Sequence, residues 1–131
     1  MVVGYEVATA LGSTLETTWE AAAQGRAGFR RLTRCLSESR SNIVGEIPDW
    51  DPSALPYVDR KEASLWNAAY VFLTMETCRR ALQHAGVTID ASIGRRTGCL
   101  IGSALNGTDS YRVAMDNYVN LGPLKVSPYL L

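Results

Sequence analysis

The chain has 131 residues, 47% of them apolar and 20% charged, enough to supply one core of ordinary domain size. Thirteen basic residues balance thirteen acidic ones, so no global field gathers nucleic acid or acidic lipid. No charged leader with an apolar run and a small-residue cleavage site opens the sequence, and no stretch approaches the roughly 20 apolar residues of a membrane helix; a reduced, cytoplasmic protein is expected.

In chain order, Met1 to Val7 is short, apolar and β-branched, which predicts a buried strand interrupted at Gly4, where a neighbouring backbone can come close. Ser13-Thr14-Leu15-Glu16 matches a capping box, in which the serine oxygen takes one orphan amide and the glutamate reaches back to another. The helix that follows carries Leu15, Trp19, Ala22 and Ala23 on one apolar face and stops at Gly25. Weak strands are expected around Phe29 to Leu32 and Asn42 to Ile47. Pro48, Pro52 and Pro56 then forbid a regular ladder, and Trp50, Leu55 and Tyr57 pin the excursion to the surface.

A long helix is predicted from about Asp59 to Ala85, ended by Gly86. Leu65, Ala68, Phe72, Met75, Cys78, Leu82 and Ala85 form its core-facing stripe, while Trp66, Ala69, Tyr70, Val71 and Leu73 make its middle apolar nearly all round, as in a helix covered on more than one side. Thr97 to Ser103 is a continuous apolar run, the pattern of a strand with helices over both sheet faces. A turn at Leu105-Asn106-Gly107 leads to a third helix from Thr108 or Asp109 to Val119. Strand, helix, weak strand, helix, strand, helix is the order of an α/β protein with a mainly parallel sheet flanked by helices. The expected core comprises Trp19, Phe72, Met75, Leu82, Leu100 and Ile101.

Few residues suggest chemistry by themselves. Gly102 to Thr108 has the glycine spacing of a phosphate-binding loop, but Thr108 stands where the essential lysine belongs, so a tight strand-to-helix turn is preferred. The single histidine, His84, ends the long helix, where a positive charge suits the helix dipole. Cys35, Cys78 and Cys99 lie far apart, with no ligand spacing for zinc. Cys78 and Cys99 are expected buried and inert; Cys35, near Arg31 and Arg34, is the one of the three expected to have a lowered pKa, with no base to serve it. Arg26, Arg30, Arg31 and Arg34 form the one basic patch, read as a solvated turn with a carrier-protein or anion contact as the alternative.

An ordered set of segments says more. Ala8-Thr9-Ala10-Leu11-Gly12, Gly28-Phe29-Arg30-Arg31-Leu32 onward to Pro52, Tyr57-Val58-Asp59-Arg60-Lys61-Glu62, Ala81-Leu82-Gln83-His84-Ala85-Gly86, Ile101-Gly102-Ser103 and Val126-Ser127-Pro128 follow one another at spacings that resemble the N-terminal part of a β-ketoacyl synthase. The chain departs from that family's pattern at Val3, where a threonine is usual, at Trp66-Asn67-Ala68, where Met-Asp-Arg is typical, and at Leu105-Asn106-Gly107, where paired glycines are usual.

The resemblance implies part of a thiolase-like layered α/β fold over residues 1–131, truncated before the catalytic cysteine. It implies the decarboxylating condensation of acyl and malonyl thioesters in fatty-acid or polyketide synthesis. In complete members a cysteine at a strand-to-helix turn accepts the acyl chain and two later histidines assist decarboxylation; none of the three is expected here, so no catalytic residue is assigned. Two pocket residues carry over by position, Leu105, two residues after Gly-Ser, and Leu130, the second bulky residue after Ser-Pro, as walls of the acyl tunnel, Leu130 from across a dimer interface. The implied partners are acyl carrier protein and a ketosynthase-type dimer partner, with no nucleic acid, membrane, metal or cofactor. A non-catalytic chain-length-factor-like or scaffolding subunit that heterodimerises with a ketosynthase is the alternative.

Overall fold

In a computed structural model the described residues are 1–32, 42–48, 50–55, 58, 69–105 and 107–128. They contain helix α1 (Leu15–Ala23), strands β1 (Arg30–Arg31) and β2 (Ile43–Val44), a 3-10 turn at Pro52–Ala54, helix α2 (Ala69–His84), the short helix α3 (Ala91–Gly94), helix α4 (Thr108–Leu121) and a second 3-10 turn at Pro123–Lys125. The chain divides into two compact units, residues 1–50 with 77–86, and residues 51–76 with 87–131.

In the first unit, α1 begins one residue later than its capping signature suggests. Thr14, not Ser13, is the extended N-cap: its hydroxyl accepts from the Thr17 amide at 3.2 Å, and the Thr17 hydroxyl accepts from the Thr14 amide at 3.2 Å. Two threonines thus complete the reciprocal box assigned to Ser13 and Glu16. Gly25, at φ +66°, ends the helix as expected. The buried face differs from the expected one. Ala21 is buried and Thr18 half-buried, whereas Trp19, Ala22 and Ala23 are exposed. Hydrogen bonding explains the rotation: the Thr18 hydroxyl donates to the Gly12 carbonyl at 3.1 Å and meets the Thr9 hydroxyl at 3.2 Å. Thr9 and Gly12 also exchange backbone bonds of 2.8 and 3.2 Å, so the turn between them is locked to the threonine side of α1.

Residues 1–7 form no strand, correcting the expected opening strand. Among the described residues no strand offers their amides and carbonyls a ladder, and an apolar run cannot become a strand without one. They are tied to helices instead. The Glu6 carboxylate accepts from the Val7 and Leu15 amides, the second at the start of α1. Gly4 lies directly against the last turns of α2, where a side chain would meet the Ala81 carbonyl and Ala85. Ala81 and Ala85, four residues apart, leave the room for this approach. Consequently Leu82 and Cys78 turn outward, against the expectation that both are core, and Arg80 donates from Nη1 to the Ser13 carbonyl at 3.0 Å.

Strands β1 and β2 fall within the two weak candidates and pair antiparallel, Arg30 with Val44 and Arg31 with Ile43. The expected mainly parallel sheet is not formed among the described residues. The interval from Leu32 to Asn42 is shorter than the dozen or more residues a parallel crossover needs, so this pair reverses direction.

In the second unit, Phe72 and Glu76 are the buried positions of α2, while Met75, expected on the core stripe, is 46% exposed. The part of the long helix expected over residues 59–68, with Leu65, Trp66 and Ala68, lies outside the described residues. Leu55 is buried, as its pinning role requires, and Asp51 closes the turn after Trp50 by accepting from the Ser53 amide at 2.9 Å and hydroxyl at 2.7 Å. Those two bonds hold the Asp51 carboxyl below its usual range.

Residues 97–103 are not a strand, and Leu100 at 99% and Ile101 at 59% exposure are not core. Ahead of them stands α3, which the periodicity did not reveal because one turn is too short to show a period. Its signal was the cap: Asp90 accepts from the Ser92 and Ile93 amides at 2.8 Å each. These bonds, with one from the Ser92 hydroxyl, lower the Asp90 pKa. A folded pKa below the unfolded value adds stability that is present above the unfolded value, near 3.9, and is lost as pH falls through the folded one. Carboxyl carbon NMR should therefore show Asp90 titrating at lower pH than in a short peptide of the same sequence, and Asp90→Asn should remove the α3-specific acid response. Equal midpoints in protein and peptide would refute the cap.

Helix α4 begins after Gly107 in the left-handed region (φ +69°) and ends at Gly122 (φ +91°), whose amide bonds to Tyr118. Ala114 is buried, with Ser110, Val113 and Asn117 half-buried beside it. Tyr111, Met115, Tyr118 and Val119 are exposed on another side.

Candidate functional site

The turn from Gly102 to Thr108 carries the first assigned pocket residue. It reaches α4 without a side-chain cap, since Gly107 is the N-cap; the Thr108 hydroxyl donates to the Leu105 carbonyl at 3.1 Å, and the Tyr111 amide to Gly107 at 2.8 Å. Thr108 therefore spends its hydroxyl closing the turn, in line with the preference for a turn over a phosphate loop. Leu105 is 85% exposed. Leu130 lies outside the described residues.

The groups that carry nucleophilic or proton-transfer chemistry are dispersed. Cys78, on the outward side of α2, and Cys99, in the irregular segment before Gly102, are both exposed free thiols, correcting the expectation that they are buried. Their exposure follows from the turned face of α2 and from the unpaired run at residues 97–103. Cys35 lies outside the described residues. His84 is engaged: its Nδ1 donates to the Tyr5 carbonyl at 2.9 Å, and its ring meets that of Tyr5 edge-on at 5.1 Å. The histidine thus fastens the opening segment to the end of α2, a structural employment that its place in the sequence did not disclose. Nucleophilic catalysis needs a thiol within hydrogen-bond reach of a base, and no such bond joins Cys78 or Cys99 to His84. No group of three His, Cys, Asp or Glu residues suited to a metal ion occurs among those described.

Of the basic patch, Arg26, Arg30 and Arg31 are exposed, and Arg34 is outside the described residues. Arg26 donates to Gln24 at 3.0 Å and Arg30 to the Ala10 carbonyl at 3.2 Å. Phe29, Arg30, Arg31, Asn42 and Ile43 line an open groove along the two-stranded ribbon. No described helix is long and apolar enough to cross a membrane.

Among the described residues the reactive groups are dispersed over a mixed α and β scaffold and define no self-contained active site; descent supplies the class. The family model described as the N-terminal domain of beta-ketoacyl synthase matches residues 1–130. The chain belongs to the β-ketoacyl synthase family, and that membership implies a thiolase-like α/β fold. It is similar to 3-oxoacyl-[acyl-carrier-protein] synthase 2 of Staphylococcus aureus, 26% identical over 132 residues that cover all of this chain and 32% of that relative. It is likewise similar to the synthase of the same name from Coxiella burnetii, at 28% identity over all of this chain and 31% of the relative. The chain thus spans about a third of the length of these curated relatives.

Proposed function

We propose that these residues are the N-terminal portion of a β-ketoacyl-[acyl carrier protein] synthase, which joins acyl and malonyl thioesters with loss of carbon dioxide. The observation that carries this reading is a family match along essentially the whole chain, joined to coverage of only a third of each relative's length. On this reading the acyl-accepting cysteine and the two histidines are supplied beyond Leu131, while Leu105 and Leu130 contribute to the acyl tunnel. Acyl carrier protein delivers the substrates, a second ketosynthase-type subunit completes the assembly, and the setting is the cytoplasm, in fatty-acid or polyketide synthesis.

The experiment has two parts. Coding sequence downstream of Leu131 should encode a strand running into a cysteine at a helix turn, and the longer polypeptide should release carbon dioxide from malonyl-loaded carrier protein. The 131 residues alone should release none above background, because among the described residues neither Cys78 nor Cys99 is hydrogen-bonded to a base. Turnover by the 131-residue chain that vanishes on Cys35→Ala, Cys78→Ala or Cys99→Ala would overturn the proposal.

A chain-length-factor-like or scaffolding subunit is the second reading. The exposed Tyr111, Met115, Tyr118 and Val119 of α4, with Leu124 beyond it, favour it, since apolar residues grouped on one element suit a partner. It predicts a tight heterodimer with a ketosynthase and no cysteine at the corresponding turn of the longer product.

A further inference from the structure

We infer that Tyr5, Leu15, Glu16 and Trp19 form a binding cup for a small organic cation of the alkylammonium class. All four line one concavity. Leu15 and Trp19 are one turn apart on α1, and Glu16 is beside them in its first turn. Tyr5 is brought to them by two anchors: Glu6, the next residue, accepts from the Leu15 amide, and the Tyr5 carbonyl accepts from His84. The cup is thus held by bonds from three separate parts of the first unit.

Its chemistry selects the ligand. Tyr5 and Trp19 are 57% and 73% exposed, so their rings are available to a ligand. Among the described residues nothing gives the Glu16 carboxylate a hydrogen bond or ion pair. A neutral apolar ligand resting on the aromatic walls would strip water from that carboxylate without repayment. A cation with an apolar skin satisfies both, because the ring faces attract positive charge and the carboxylate is its counter-ion. The Glu6 carboxylate, bonded to the backbone amide of the lining residue Leu15, adds a second negative charge nearby. The basis for this site is independent of any condensing activity.

The probe is tetramethylammonium, titrated into the intact chain at constant ionic strength while the Trp19 indole N–H resonance is followed. That resonance is identified by its disappearance in Trp19→Phe. A saturable shift is expected with half-saturation on the order of millimolar, as suits an exposed aromatic site. The uncharged isostere 3,3-dimethyl-1-butanol should give less than a third of the affinity. Glu16→Gln, on an exposed side chain, should weaken tetramethylammonium binding about threefold or more while leaving the far-ultraviolet spectrum unchanged. A shift that never saturates, equal response to the neutral alcohol, or unchanged affinity in Glu16→Gln would each overturn the inference.

Discussion

Replacing Phe72 by alanine should cost about 3 to 5 kcal/mol and abolish cooperative unfolding of the unit that contains it. Phe72 is 3% exposed, and the other buried apolar residues among those described are Ala21, Leu55 and Ala114. It is therefore the largest apolar side chain removed from water in the described part of the molecule, and truncation loses both its transfer free energy and its packing. A domain whose net stability is about 5 to 15 kcal/mol has little reserve against such a loss. Met75, three residues along the same helix, is the control. Being 46% exposed, it should tolerate alanine with a change of about 0.5 kcal/mol or less. Denaturant titration of the two variants reads the helix face directly. Equal losses, or a larger one for Met75, would show that the expected core stripe is correct and the observed face is not.

The second large effect is expected at Gly4. A Cβ there would lie 2.5 Å from the Ala81 carbonyl oxygen, 2.6 Å from the Ala85 Cβ and 2.8 Å from the Ala85 amide nitrogen. Two of these atoms are helix backbone and cannot swing aside. Gly4→Ala should lift residues 1–7 off α2, break the bond between His84 and the Tyr5 carbonyl, and destabilise the first unit by about 1 to 3 kcal/mol or more. The nuclear Overhauser contacts between the Tyr5 and His84 rings should disappear with it. Gly98→Ala is the matched control, since a Cβ there meets nothing within 4 Å. Retention of the ring contacts in Gly4→Ala would refute the close approach.

Local chemistry was readable from the sequence; tertiary orientation was not. The existence of α1 and its end at Gly25, and the helix after Gly107, follow from caps, periodicity and glycine, which act within a few residues. The buried face of α1 and, Phe72 apart, that of α2 were misread because neither is chosen by apolar spacing alone. Thr18 turns α1 through bonds to Gly12 and Thr9, and the small pair Ala81 and Ala85 turns the end of α2 toward Gly4. Glu76 is a buried carboxylate on a helix whose apolar residues were assumed to mark the core. Cys78 and Cys99 were assigned to the interior on the same assumption and lie outside it.

For the candidate site, family descent was legible in the ordered segments from Ala8 to Pro128, although no single motif among them is strong. The tunnel roles of Leu105 and Leu130 came from position alone. The cup at Tyr5 and Trp19 was hidden because Trp19 was counted as core. Only the bonds of Glu6 and His84, residues 78 positions apart in the chain, bring its aromatic walls together.

The bare segment from Thr97 to Ser103 has a consequence in time. Polypeptides as long as the curated relatives continue for about twice this chain's length beyond the matching region. At ribosomal rates of about 5 to 20 residues per second, the rest of such a polypeptide takes roughly ten to fifty seconds to emerge. Throughout that interval Leu100 and Ile101, in an uncharged run that pairs with no strand among the described residues, would stand open to other nascent chains. The half-life of that open state, more than its equilibrium energy, would decide how heavily the synthesis of such a protein leans on chaperones.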